Sequence, residues 1–148
     1  MYKKMYKIIA ILFIAISFNG CVADLKLDEG RVLLSSLQCH QDKETVLTIL
    51  PTHGAIGDSL TISLAKSANK DEGLSDTIRV QVQQGSKYFA FYSKSNEKMS
   101  SILNAALSKF KDNELLGTNI CYIGSKEFSK TLEKEMTRTG AVYKNISE

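Results

Sequence analysis

The sequence predicts an α+β domain, an antiparallel sheet of about five strands with two amphipathic helices packed on one face and one disulfide, set behind an N-terminal export segment. Three observations lead there. Short stretches of alternating apolar and polar residues recur between positions 45 and 92, and glycines or a proline punctuate them. From Met99 to Phe110 the apolar spacing changes to threes and fours, the period of one helical face. A second run of that kind, with Phe128, Leu132 and Met136, follows a short apolar stretch at 120–123.

In chain order, Arg31 to Cys39 carries Val32, Leu33, Leu34 and Leu37, a pattern that suits a short helix or a buried strand and is read here as a strand. Thr45 to Leu50 is β-branched and apolar and is stopped by Pro51, the single proline. Residues 51–58 have turn chemistry, with Gly54 and Gly57 free to take positive φ. Leu60, Ile62 and Leu64 then alternate with Thr61 and Ser63, as a half-buried strand does. Ile78, Val80 and Val82 alternate with Arg79 and Gln81, and Gln84-Gly85-Ser86 would turn that strand back into Tyr88 to Tyr92 as a hairpin. The first helix has Ser95 as N-cap, Glu97 at its positive end and Lys109 and Lys111 at the other, and should stop near Asp112 to Asn113. Ile120 to Ile123 reads as a strand, the second helix ends at Gly140 in a left-handed cap, and Ala141 to Ile146 is a closing strand or a tail.

Residues 1–20 have a different character. Lys3, Lys4 and Lys7 stand without an acidic residue before an apolar run from Ile8 to Phe18 in which Ser17 is the one polar residue, the charged and apolar regions of a secretory signal. As a helix, that run would rise about 16 Å, half of a hydrocarbon core of about 30 Å, so it is too short for a permanent span. Asn19-Gly20-Cys21 follows at once, and this exit resembles the bacterial lipobox, in which a small residue precedes a cysteine that receives diacylglycerol and becomes the mature N-terminus. The resemblance implies lipidation of Cys21 and, with Val22 rather than aspartate next, an anchor in the outer membrane facing the periplasm. The competing route is cleavage after Ala23, which leaves a soluble periplasmic or secreted domain. The organisation expected is a signal peptide over 1–20, a tether over 21–30 and one globular domain over 31–148.

Charge and cysteine count narrow the function classes. The chain has 19 Lys and Arg against 16 Asp and Glu, and the first twenty residues hold three of the lysines and no acid, so the exported part balances 16 against 16. A neutral domain lacks the clustered cationic field that grips nucleic acid. Of the three cysteines, loss or acylation of Cys21 leaves Cys39 and Cys121, which in an oxidising compartment pair as a disulfide. His40 and His53 with those cysteines have no paired zinc-ligand spacing, so no metal and no cofactor is expected.

Two short matches stand in the turn at 51–62. Gly57-Asp58-Ser59-Leu60 resembles the motif of the GDSL hydrolases, which implies Ser59 as an ester-cleaving nucleophile. That family takes its base from a late Asp-x-x-His; here no histidine follows His53, which would have to serve. The spacing of Pro51, Gly54, Gly57, Asp58, Leu60, Thr61 and Ile62 is similar to the opening of immunoglobulin-like IPT modules, which implies a turn entering a strand, although later helices have no place in that sandwich. Tyr88 and Tyr92 share one side of their strand and are candidate partner-binding residues, opposite Phe89 and Phe91. The expectation is a non-enzymatic binding protein of the cell envelope, inhibitor or immunity-type or an accessory of a surface assembly. Its alternative is a small envelope serine hydrolase using Ser59 and His53.

Overall fold

A computed structural model describes residues 28–41 and 43–147, with the side chains of 28 and 29 left aside. The signal segment, Cys21 and most of the tether lie outside the described residues. In chain order the elements are α1 (Asp28–His40), β1 (Val46–Leu50), α2 (Gly54–Ala68), α3 (Leu74–Gln83), β2 (Tyr88–Ser93), α4 (Asn96–Ser108), β3 (Asn119–Ile123), α5 (Lys126–Thr139) and β4 (Val142–Ile146). The first helix thus begins three residues before the expected domain start at 31.

The sheet corrects the expected arrangement. Among the described residues it has four strands rather than about five, in the order β1-β2-β3-β4, and every neighbouring pair is parallel. Parallel neighbours need a crossover, and the segments read as strands at 59–64 and 78–82 supply the first one as α2 and α3. There is therefore no hairpin into β2, and the turn-and-strand implied by the IPT-like spacing is a helix. Arg31 to Cys39 is also helical, so among the described residues five helices replace two. Strand order advances in one direction, and crossovers of one hand then fall on one face of the sheet. Ala65, Leu74, Ile78, Met99, Leu103, Leu132 and Met136 from α2 to α5 all pack with Phe89 and Phe91 in the larger core. Among the described residues, α1 is the helix on the opposite face.

Register lays the inward rows straight across the sheet. Val46, Phe89, Ile120 and Tyr143 are aligned on the α2–α5 face, and Leu47, Ala90, Cys121 and Lys144 are aligned one residue on, facing α1. The alternation expected of β2 holds, with Phe89 and Phe91 on one side and Ala90 and Tyr92 on the other. A sheet covered on both faces has near-continuous apolar strands, and Phe89 to Tyr92 and Ile120 to Ile123 are buried throughout.

α4 runs through the middle of the larger core. Nine of its thirteen residues are buried, Met99, Ile102, Leu103, Ala106 and Leu107 among them. Ser95 caps it as expected, its hydroxyl accepting from Lys98 N–H, but the helix stops at Ser108, short of Asp112. α5 is the amphipathic helix the sequence indicates, burying Leu132 and Met136 and ending at Gly140 in the left-handed conformation. Arg138 in its last turn donates to Leu107 O and Phe110 O, tying the end of α4 to α5.

α1 is fastened at its C-terminal end. Cys39 and Cys121 form the disulfide, with Cα atoms 5.8 Å apart and a sequence separation of 82. Lys144 Nζ donates to Gln38 O and Cys39 O, carbonyls that the helix leaves unpaired, and His40 Nε2 lies 2.9 Å from Phe89 O. Burial holds the His40 imidazole below its ordinary pKa, so the neutral ring donates from Nε2 to that carbonyl.

Candidate functional site

Because the strands are parallel, their carboxyl ends share one edge, where ligands of open helix-and-sheet folds are bound. The segments leaving β1, β2 and β3 bring His53, Asp58, Lys98, Asn96 and Ser125 there.

Lys98 is the centre. It is the third residue of α4, where the helix dipole disfavours a cation, and its side chain is 3 % exposed. Nζ reaches away from the helix to Pro51 O at 2.6 Å, Asp58 Oδ1 at 2.8 Å and His53 Nδ1 at 2.9 Å, one acceptor for each proton of the ammonium. Asp58 Oδ1 also accepts from the His53 backbone N–H at 2.9 Å. Burial works to raise the Asp58 carboxyl, but the Lys98 and His53 hydrogen bonds and the nearby positive charge outweigh it and hold the group below the usual carboxylate range. The turn fits closely: a Cβ on Gly57 would lie 2.9 Å from His53 Cβ, so glycine is required for that approach.

This arrangement fixes the tautomer of His53. An ammonium has only donors, so Nδ1 accepts and the ring proton sits on Nε2. Both ring nitrogens are then committed, one as acceptor and one as N–H, and neither has a lone pair for the proton of Ser59. Ser59 itself is exposed in α2, and among the described residues no hydrogen bond joins it to His53. The cleft beside the cluster, lined by Leu50, Pro51, His53, Thr61, Glu72, Lys98 and Ile102, holds about 50 Å³. That admits a water or two, against roughly 300 Å³ or more for a small-molecule site.

A second network closes the rest of the edge. Asn96 Oδ1 accepts from Tyr122 OH and Ser125 N–H, each at 2.9 Å, while Asn145 Nδ2 donates to Tyr122 O and Gly124 O, each at 3.0 Å. Burial pushes the Tyr122 phenol well above its ordinary value, so it remains a donor. A Cβ on Gly124 would clash with Asn96 Oδ1. Ser125 Oγ is buried and has no partner, the one such side-chain atom among the described residues. Strand order never reverses here, so the edge lacks the diverging loops that open a ligand crevice in other parallel sheets.

The remaining candidates are placed as follows. Tyr92 is 8 % exposed and packs in the smaller core with Val32, Cys39 and Cys121. Tyr88 is half-buried with its ring 5.3 Å from that of His40. Lys98 and Asn96 were not legible as members of a site; the available signal was a lysine in the first turn of a helix, which needs a compensating partner. Among the described residues no group of three His, Cys, Asp or Glu side chains is placed to hold a metal. Comparison of the chain with family models, curated proteins and solved structures gives no match.

Proposed function

We propose that this chain is an exported cell-envelope lipoprotein, anchored through Cys21 in the outer membrane facing the periplasm, that acts by binding a protein partner rather than by catalysis. An inhibitor or immunity-type protein, or an accessory component of a surface assembly, fits that description. The observation that carries the reading is the closed carboxyl edge, where Lys98, Asp58 and His53 satisfy one another around a cleft of about 50 Å³. Such a cluster fixes the β1–α2 and β2–α4 turns to each other. The signal-like first twenty residues and the Cys39–Cys121 bond support the compartment.

The test is crosslinking in intact cells with several chemistries, followed by purification from envelope extracts. A single stable protein partner recovered in stoichiometric amount is the expected result. Recovery of none across all the chemistries overturns the reading.

A further inference from the structure

We infer that the outer face of α1, carrying Leu34 and Leu37, rests on the lipid bilayer that holds the anchor. The inference builds on the proposed lipidation of Cys21. α1 buries Val32, Ser36 and Cys39 against the sheet, so its inner face spends a position on a serine whose hydroxyl returns to Leu33 O. Its leucines go outward: Leu34 is 62 % exposed, Leu37 is 37 % exposed and Leu33 is half-buried. In water that is the wrong way round for a surface helix. The helix cannot roll to hide them, because the disulfide, the Lys144 bonds and the His40 bond all fix its rotation.

The tether selects the occupant. Six residues separate Cys21 from Asp28, and fully extended that stretch reaches about 25 Å. A domain of this size is about 35 Å across. An anchor on so short a lead keeps the α1 end of the molecule at the membrane, and the exposed leucines begin two turns into the helix that the lead enters. Ile56 and Leu60, also exposed, belong to α2 on the opposite face of the sheet and point away from that surface.

The chain contains no tryptophan, so a single one is a clean reporter. Full-length lipoprotein carrying Leu34→Trp, and a second preparation carrying Ile56→Trp, would be purified from envelopes and reconstituted into phosphatidylethanolamine and phosphatidylglycerol vesicles with brominated acyl chains. Intact mass establishes the lipid in each. Expected is at least a twofold loss of fluorescence with a blue shift for Leu34→Trp and no change for Ile56→Trp. A lipid-bearing protein with neither tryptophan quenched overturns the docking while the anchor stands. Equal quenching of both overturns the orientation. A blue shift of Leu34→Trp that rises with protein concentration without vesicles assigns the face to a second copy and overturns the bilayer. A mature mass without lipid removes the anchor, and the docking falls with it.

Discussion

Lys98 Nζ and Asp58 Oδ1 lie 2.8 Å apart with side chains 3 % and 13 % exposed, a charge pair that joins the first turn of α4 to α2 across the end of the sheet. Replacing the lysine by methionine keeps the aliphatic stem but strands the Asp58 carboxylate and unpairs Pro51 O and His53 Nδ1. The expected cost is about 3 kcal/mol, read as a lower urea midpoint at unchanged slope. Adding Asp58→Asn should return part of that loss, and a double-mutant cycle with no coupling between the two sites would contradict the geometry.

Asp71 gives an acid limit. It is buried and accepts from Lys109 Nζ and from Ser75 N–H; burial works to raise it, but these bonds dominate and bring its pKa down to about 2 from 3.8. A carboxyl depressed in the folded state contributes stability that is complete above its unfolded value and is lost as pH falls through the folded one. The window is therefore pH 4 down to about 2. The Lys109 side chain is 41 % exposed, so solvent screening reduces the contribution to about 1 to 2 kcal/mol. Asp71→Asn should flatten the stability profile across that window while lowering stability at neutral pH.

Gly124 is the tightest point of the second network. Gly124→Ala places a methyl against Asn96 Oδ1 and the Tyr122 hydroxyl, so the Asn96 bonds to Tyr122 and Ser125 must break or the β3–α5 turn must shift. A loss of about 2 to 3 kcal/mol is expected. Hydrogen exchange of the Ser125 amide should rise by more than that of the Ala65 amide in α2, which does not touch the network.

The disulfide closes a loop of 82 residues, for which chain entropy gives about 4.5 kcal/mol. Cys39→Ala with Cys121→Ala should lower unfolding free energy by about 2 to 5 kcal/mol. Titration of the mature protein with a thiol reagent in denaturant, without reductant, should find neither thiol free. Two reactive equivalents would contradict the bond.

What the sequence made legible follows from where its hydrophobic pattern is unambiguous. α5 and α4 were readable because Leu132 and Met136, and Met99, Leu103 and Ala106, repeat at helical spacing and are buried. α2 was not, since in its fifteen residues Ala65 is the buried one, while Ile56 and Leu60 face outward and Leu60, Ile62 and Leu64 happen to alternate with short polar residues. α3 misled in another way. Its inward positions are Leu74, Ser75, Ile78 and Gln81, and the polar pair breaks the helical stripe, while exposed Val80 completes a false strand. Losing both helices removed the crossover between β1 and β2, and an antiparallel sheet became the natural reading. The disulfide needed only cysteine count and compartment. The Lys98 cluster depends on 40 residues of sequence separation between Lys98 and Asp58, which no local spacing displays.

The strand order has a further consequence for how the molecule comes into being. Spatial order equals chain order from β1 to β4, so a chain emerging from its N-terminus can add each strand and crossover helix to the one already placed, without reserving a gap for later sequence. α1 is the exception, since it emerges first and its covalent partner Cys121 lies in the third strand. Among the described residues the first helix is thus locked only after β3 has arrived, and oxidation of the thiol pair requires three of the four strands while α5 and β4 are still to be added.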